Sequence, residues 1–293
     1  MAEAEGVPLP TPADERSRSA GAGLVKRALS TLILLPVFLA IVLVGPIWLF
    51  AATIVLLSAA AQWEFTGMFE RAGIRTCRIV GLAGGVAVTA SFAVSGFDAA
   101  GVAATLTAAL LALLTVAVWR QGSARIAWEP FAVTALGIAY VNWLLGYGFW
   151  LRELPSGREW VLLLVWVTWL GETAAYLVGS SVGRHPLARV ISPKKTIEGS
   201  VAQFAMSLVA AVAAQVWFFG ALPLGHALMV GALLGVVGQV GDLVESALKR
   251  SVGTKDTGHL IPGHGGVLDR IDSLLFNTPV LFYYASHGRM LGS

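Results

Sequence analysis

Residues 224–250 read LGHALMVGALLGVVGQVGDLVESALKR, an uncharged apolar run that ends in a group of charged side chains. The run, residues 224–241, approaches the length of about 20 apolar residues that an α-helix needs to cross a bilayer. A carboxylate such as Asp242 at the end of such a run is costly unless it is paired, hydrated or bound to a metal. The stretch therefore predicts a membrane helix that carries a polar site at one end.

Eight more apolar stretches lie along the chain, at residues 28–45, 47–63, 79–97, 99–119, 130–151, 160–183, 200–221 and 273–286. The last is short, because its uncharged run covers only 14 residues. Its upstream end is therefore expected to reach a polar site or a thinned part of the bilayer. We predict an all-α, polytopic integral membrane protein with about nine transmembrane helices.

The composition supports this class. Of the 293 residues, 56% are hydrophobic and 13% are charged, and the mean hydropathy is +0.75. Soluble globular domains usually carry about 25% charged residues, so this chain has too little polar surface for a water-soluble particle. The single cysteine, Cys77, excludes an intrachain disulfide and a metal cluster built from cysteines alone.

The basic residues predict the orientation. With the N-terminus inside, seventeen of the 20 Lys and Arg residues fall in cytoplasmic segments; the exceptions are Arg152, Arg158 and Arg289. Such a bias is typical of the positive-inside rule. The N-terminus and the polar end of residues 224–250 are therefore predicted to face the cytoplasm.

Three regions are expected along the chain. Residues 1–25, which contain three prolines and mixed charges, are predicted to form a disordered cytoplasmic tail rather than a signal peptide. Residues 26–159 would form N-terminal transmembrane helices. Residues 160–293 would form a C-terminal transmembrane catalytic region with two cytoplasmic loops, 184–199 and 249–272.

Two patterns stand out on the helix predicted from residues 224–250. Gln239, Asp242, Glu245 with Ser246, and Lys249 recur every three or four residues, so they share one helix face. Small residues at Gly231, Gly235, Gly238 and Gly241 predict a smooth face for close contact between helices.

Acidic and basic residues alternate in the following segment. Four aspartates lie within 31 residues, namely Asp242, Asp256, Asp269 and Asp272, and basic residues are interspersed at Lys249, Arg250, Lys255 and Arg270. Mg²⁺ prefers oxygen ligands, usually one or two carboxylates with phosphates and water. Carboxylates with cations indicate a metal–phosphate assembly. The glycines around His264 would let backbone N–H groups approach an anion closely.

Simpler interpretations remain open for single residues. A charged loop beside a membrane is often only a solvated connector. Arg270 is either a phosphate ligand or a structural partner of Asp269 or Asp272, and His264 is either a hydrogen-bonded loop residue or a general base. A different class, an ion or solute transporter, would line its path with Glu172, Asp242 and Glu245. The grouping of the acids at one membrane boundary, with lysines and a glycine-rich loop, favours an enzyme.

Residues 246–272 resemble the signature of phosphatidate cytidylyltransferases (CDP-diacylglycerol synthases). Ser246, Lys249-Arg250, Lys255-Asp256-x-Gly258, Pro262-x-His264-Gly265-Gly266 and Asp269-Arg270-x-Asp272 meet every specified position of that pattern. Gly241-Asp242-Leu243-x-Glu245 and Ser192-Pro193-Lys194-Lys195-Thr196-x-Glu198-Gly199 also look like family elements, and the resemblance covers about residues 170–285. One departure is Glu172-Thr-Ala-Ala-Tyr176, where the family commonly has Asp-Thr-Gly-Ala-Tyr; it raises the alternative of a catalytically impaired homologue.

The resemblance implies a Mg²⁺-dependent reaction, with room for a second cation. CTP and phosphatidic acid would be the substrates, and CDP-diacylglycerol and pyrophosphate the products, for phospholipid biosynthesis. It further implies a multi-pass protein of the bacterial cytoplasmic (inner) membrane, a possible homodimer, and no nucleic acid partner.

The resemblance also assigns residues. The metal ligands would be Asp242 and Asp269 first, then Asp256 and Asp272, and the hypothesis requires Asp242 and Asp269 to share one ion. The catalytic set comprises Asp242, Lys249, Arg250, Lys255, Asp256, His264, Asp269 and Asp272. The substrate-binding set comprises Ser192, Lys194, Lys195, Thr196, Glu198, Ser246, Gly265, Gly266 and Arg270.

Overall fold

The structure is a computed structural model that describes residues 32, 36–119, 128–258, 260 and 265–287. The predicted tail, residues 1–25, lies outside the described residues, as does His264. Of the first apolar stretch, residues 36–43 are helical.

The rest of the described chain is almost entirely helical. Its α-helices are α1 (Ile47–Arg71), α2 (Arg78–Val94), α3 (Ala99–Trp119), α4 (Glu129–Gly137), α5 (Leu144–Glu153), α6 (Gly157–Val182), α7 (Ile197–Trp217), α8 (Leu224–Ser251) and α9 (Leu268–His287). A π-helical segment, Ile138–Trp143, joins α4 and α5 into one continuous helix.

Six helices of the described chain are long and apolar enough to cross a membrane. They are Ile47–Arg71, Ala99–Trp119, Glu129–Glu153, Gly157–Val182, Ile197–Trp217 and Leu224–Ser251. Helix α2 is apolar but has only 17 residues, and α9 begins with Asp269, Arg270 and Asp272. The prediction of an all-α membrane protein is confirmed, and the count of nine spans stays a prediction.

Aromatic side chains join the two halves of the chain around α9. Trp150 of α5 packs against Phe92 of α2, with ring centroids 4.6 Å apart, and against Phe282 of α9 at 5.5 Å. The Trp150 indole N–H donates to the carbonyl oxygen of Phe92 at 3.0 Å. Because aromatic pairs add about 0.5–1.5 kcal/mol beyond their buried area, this cluster holds α9 against the N-terminal helices.

The small-residue face of α8 lets this helix pack closely against two neighbours. A Cβ at Gly231 would lie 2.8 Å from the carbonyl oxygen of Ser207 on α7, and one at Gly241 would lie 2.9 Å from the carbonyl oxygen of Asp272 on α9. Real Cβ atoms do not approach so closely, so the backbones meet here because no side chain intervenes. The predicted smooth face is confirmed, and it brings α8 and α9 together near Asp242.

The segment expected as loop 184–199 is more regular than predicted. It contains an antiparallel hairpin of β1 (Pro186–Ala188) and β2 (Ser192–Thr196), in which Pro186 pairs with Thr196 and Ala188 with Ser192. The Thr196 hydroxyl accepts a hydrogen bond from Gly199 N at 3.1 Å and caps α7. The second expected loop, 249–272, is shortened because α8 continues to Ser251 and α9 begins at Leu268.

Gly231→Ala should lower the melting temperature in detergent, because the added Cβ meets backbone atoms of α7 and must push the helices apart. Overpacking of this kind costs about 1–3 kcal/mol. Gly225→Ala is the matched control in the same helix, because a Cβ at Gly225 would meet no other atom within 4 Å. Equal melting temperatures for the two variants would show that the close packing of α7 and α8 does not contribute to stability.

Candidate active site

Three carboxylates meet where α8 leaves its apolar run. Asp242 and Glu245 of α8 and Asp272 of α9 each place a carboxylate oxygen within 4.8 Å of the other two. Glu245 is 1% exposed and Asp272 is 8% exposed. We refer to Asp242, Glu245 and Asp272 as the acidic triad. Such a concentration of buried negative charge requires compensating cations.

Two lysines supply part of that compensation. The ammonium group of Lys195, on β2, lies 2.6 Å from Asp242 Oδ1 and also donates to the Ser246 hydroxyl at 3.4 Å. The ammonium group of Lys249 forms ion pairs with Glu245 and, at 2.9 Å, with Asp269. The lysines therefore connect the hairpin, α8 and α9 through the acids.

Asp269 holds together the turn that precedes α9. Besides the Lys249 ammonium group, its carboxylate accepts hydrogen bonds from Thr257 N at 3.1 Å and from Gly266 N at 2.9 Å. Burial raises the pKa of Asp269, but Lys249 and the two N–H groups outweigh burial and hold the pKa below its ordinary value. Asp269 is therefore ionised and engaged by three donors.

The N-terminal half contributes a buried acid that the sequence analysis missed. Glu64 of α1 is 3% exposed, and its Oε2 atom accepts a hydrogen bond from Leu268 N at 2.9 Å. A Cβ at Gly266 would lie 2.6 Å from the same oxygen. Arg71, seven residues after Glu64 at the end of α1, donates to the carbonyl oxygen of Thr257 at 2.5 Å. A carboxylate directly after the apolar stretch 47–63 was the available signal for Glu64.

A cavity of about 590 Å³ opens beside the triad. It lies among α6, α7, α8 and the hairpin, and its lining includes Glu172, Tyr176, Lys194, Lys195, Thr196, Gln203, Gln239 and Asp242. Asp242 thus belongs to the cavity wall and to the triad. Glu172, the departure from the family pattern, is on the same wall and interacts electrostatically with Asp242, Lys195 and Arg270.

Two of the predicted site residues, Glu198 and Arg250, make contacts around the hairpin, and their roles toward substrate stay predictions. The Glu198 carboxylate contacts His185 Nδ1 at 2.6 Å and accepts hydrogen bonds from the backbone N–H groups of Arg184 and His185. Arg250 donates to the carbonyl oxygens of Ile191 at 3.3 Å and Thr254 at 2.9 Å. These side chains tie the hairpin to the ends of α6 and α8.

The remaining predicted residues lie around this core. Lys255 and Asp256 are exposed in the segment after α8, and Arg270 is exposed in the first turn of α9. Gly265 has φ +84°, a backbone conformation that side chains rarely adopt, so the turn into α9 needs glycine there. Ser192 lies at the start of β2, and Ser246 is buried beside Lys195.

The triad suits a divalent cation because its members offer three carboxylate oxygens that lie close together. It contains two predicted ligands, Asp242 and Asp272, together with Glu245, which the sequence placed on the same face without assigning it a ligand role. The Oε1 atom of Glu245 is buried, and no hydrogen-bond donor among the described residues reaches it. Asp269 and Asp256 are not members of the triad, so their roles as ligands, and a shared ion between Asp242 and Asp269, stay predictions.

Lys249→Met should lower the melting temperature in detergent more than Lys255→Met does. Breaking a buried ion pair by removing one partner costs about 3–5 kcal/mol, whereas an exposed surface change stays within about 0.5 kcal/mol. Lys249 is 14% exposed and compensates two carboxylates, while Lys255 is exposed. Similar melting temperatures would mean that Lys249 does not stabilise these acids.

Comparison with known proteins places the chain in a family. Residues 25–287 match the model of the cytidylyltransferase family. Proteins named phosphatidate cytidylyltransferase from Staphylococcus saprophyticus and Staphylococcus haemolyticus are each 38% identical over 157 residues, and that from Staphylococcus aureus strain COL is 39% identical over 157 residues. Each alignment covers 54% of this chain and 60% of the relative, so the chain spans less than two thirds of their length. Because the family match extends from before the first apolar stretch to the end of α9, the chain belongs to the cytidylyltransferase family.

Proposed function

We propose that this protein transfers a cytidylyl group from CTP to phosphatidate, giving CDP-diacylglycerol and pyrophosphate for phospholipid biosynthesis. The observation that carries the proposal is the acidic triad, which shares Asp242 with a lysine-containing cavity at the end of the apolar run of α8. The names of the staphylococcal relatives support the same reaction for this chain.

The chemistry accounts for this arrangement. An oxygen of the lipid phosphate attacks the α-phosphorus of CTP, the bond from that phosphorus to the bridging oxygen breaks, and pyrophosphate leaves with the electron pair. No nucleophile from the protein is required. Because the reactants are anions, charge neutralisation and alignment should supply most of the rate.

Asp242, Glu245 and Asp272 would hold a magnesium ion, because clustered carboxylate oxygens suit a small, hard cation. When bound, Mg²⁺ would neutralise phosphate charge and polarise the phosphoryl group under attack. A second cation stays a prediction.

The lysines on the cavity wall are proposed to bind phosphate oxygens. Lys194 is exposed beside the cavity, whereas Lys195 already pairs with Asp242 at 2.6 Å. Lys195 would therefore orient Asp242 as well as meet the substrate. The Gly266 N–H group donates to Asp269, and a Cβ at this position would lie 2.6 Å from Glu64 Oε2. We therefore propose that Gly266 shapes the turn before α9 and leaves space for the Glu64 side chain.

The setting in the membrane suits a lipid substrate. The triad lies where the uncharged run of α8 ends, which is the level expected for a lipid headgroup. The bias of basic residues supports a cytoplasmic orientation of this end, and CTP is a cytoplasmic nucleotide. We therefore propose a multi-pass protein of the bacterial inner membrane with its active site facing the cytoplasm. A homodimer stays a prediction.

Asp242→Asn should reduce the formation of labelled lipid from radiolabelled CTP and phosphatidate in detergent by on the order of 100-fold or more, because it removes a charge from the triad and the cavity wall. Wild-type activity should require added Mg²⁺. Asp98→Asn is the matched control: Asp98 accepts hydrogen bonds from Ala100 N and Gly101 N at the start of α3, and asparagine can also cap a helix.

Full activity of Asp242→Asn would show that the reaction does not need the Asp242 carboxylate. A wild-type protein that makes no labelled lipid with Mg²⁺ present would contradict the proposed reaction and favour the transporter. If Glu172→Asp then made the lipid, the chain would be the catalytically impaired homologue.

A further inference from the structure

Tyr140 lies in the π-helical segment Ile138–Trp143, within the long helix Glu129–Glu153. It is 6% exposed, and its ring packs against Phe65 of α1 at 6.1 Å and Phe276 of α9 at 6.2 Å between centroids. Phe276 is one helical turn after Asp272. The ring therefore lies next to the part of α9 that carries Asp272 of the triad.

The phenolic oxygen of Tyr140 is buried and has no hydrogen-bond partner among the described residues. Leaving a buried hydroxyl unpaired costs about 1–3 kcal/mol. Phenylalanine would fill the same space between Phe65 and Phe276 without that cost. Packing alone therefore does not explain a tyrosine at this position.

The surroundings of the hydroxyl supply an explanation. The charged groups that act on the Tyr140 phenol are Glu245, Asp272 and Asp242, which are the three members of the triad. Glu245 Oε1 is itself buried and is reached by no donor in the described part of the chain. The described residues thus leave a buried donor on Tyr140 and a buried acceptor on Glu245 without partners, and the Tyr140 ring contacts Phe276 one turn after Asp272.

We infer that Tyr140 is a positioning residue of the triad, whose hydroxyl donates to the Glu245 carboxylate when a divalent cation is bound and so fixes the oxygens that face the cation. This inference rests on the proposed cation site. Groups that hydrogen-bond to metal ligands orient them, and the loss of such a group typically weakens metal binding by roughly 10–100-fold.

The test uses Mn²⁺ alone, titrated by electron paramagnetic resonance into the full-length protein in detergent without CTP or lipid. Tyr140→Phe should raise the Kd for Mn²⁺ by roughly 10-fold or more. Its melting temperature without metal should stay near the wild-type value, because the lost hydroxyl makes no bond to the described residues. The rise in melting temperature caused by Mn²⁺ should shrink in parallel.

Tyr147→Phe is the matched control, because the Tyr147 hydroxyl contacts the Tyr283 hydroxyl at 2.8 Å and its loss should leave the Kd for Mn²⁺ unchanged. The inference is overturned if Tyr140→Phe binds Mn²⁺ like the wild type, if Tyr147→Phe weakens binding equally, or if the wild type binds no Mn²⁺. Weakened Mn²⁺ binding by Tyr140→Phe in a protein that transfers no cytidylyl group would support the inference and contradict the proposed function.

Discussion

Compensation of buried negative charge is the constraint on which the arrangement of this protein depends. Glu245 and Asp272 are almost fully buried, and Asp242 lies within 4.8 Å of them. An uncompensated charge in such a place costs several kcal/mol. The ion pairs of Lys195 and Lys249 offset part of that cost. The remaining negative charge is what a bound divalent cation, as proposed above, would neutralise.

The same constraint explains several features of the fold. Helix α8 extends past its apolar run. Lys249 can therefore form ion pairs with Glu245, one turn before it on the same helix, and with Asp269 on α9. The hairpin after α6 returns Lys195 to Asp242. Glycines at positions 231 and 241 let the backbones of α7, α8 and α9 approach closely enough for these short polar contacts. Small residues and charged residues therefore act together: close packing brings the acids within reach of the lysines.

Patterns in the sequence predicted the features that depend on the spacing of residues within a single helix. The described parts of the apolar stretches are mainly helical, the glycine face of α8 packs as expected, and Asp242 and Glu245 lie on one face of that helix. The hydrogen bond of Glu64 with Leu268 N and the packing of the Tyr140 ring against Phe276 join residues more than a hundred positions apart. No periodicity encodes such pairings, because they arise only when α1 and the π-helical segment pack against α9. The hairpin was also missed, since three- and five-residue strands between two helices leave too little alternation to recognise.

The motif residues fall into two physical groups, and the distinction bears on how sequence signatures are interpreted. Asp242 and Lys195 lie on the cavity wall, and Asp242 also belongs to the triad, so both are proposed to act on the substrates. Glu198 and Arg250 bond to backbone atoms of the hairpin and of the helix ends, and Asp269 gathers Lys249, Thr257 N and Gly266 N. A signature can therefore record the scaffold of a site as well as its chemistry. Glu64 belongs to that scaffold although it lies far outside the signature: its carboxylate fixes the first N–H of α9 and thereby the direction from which Asp272 enters the triad.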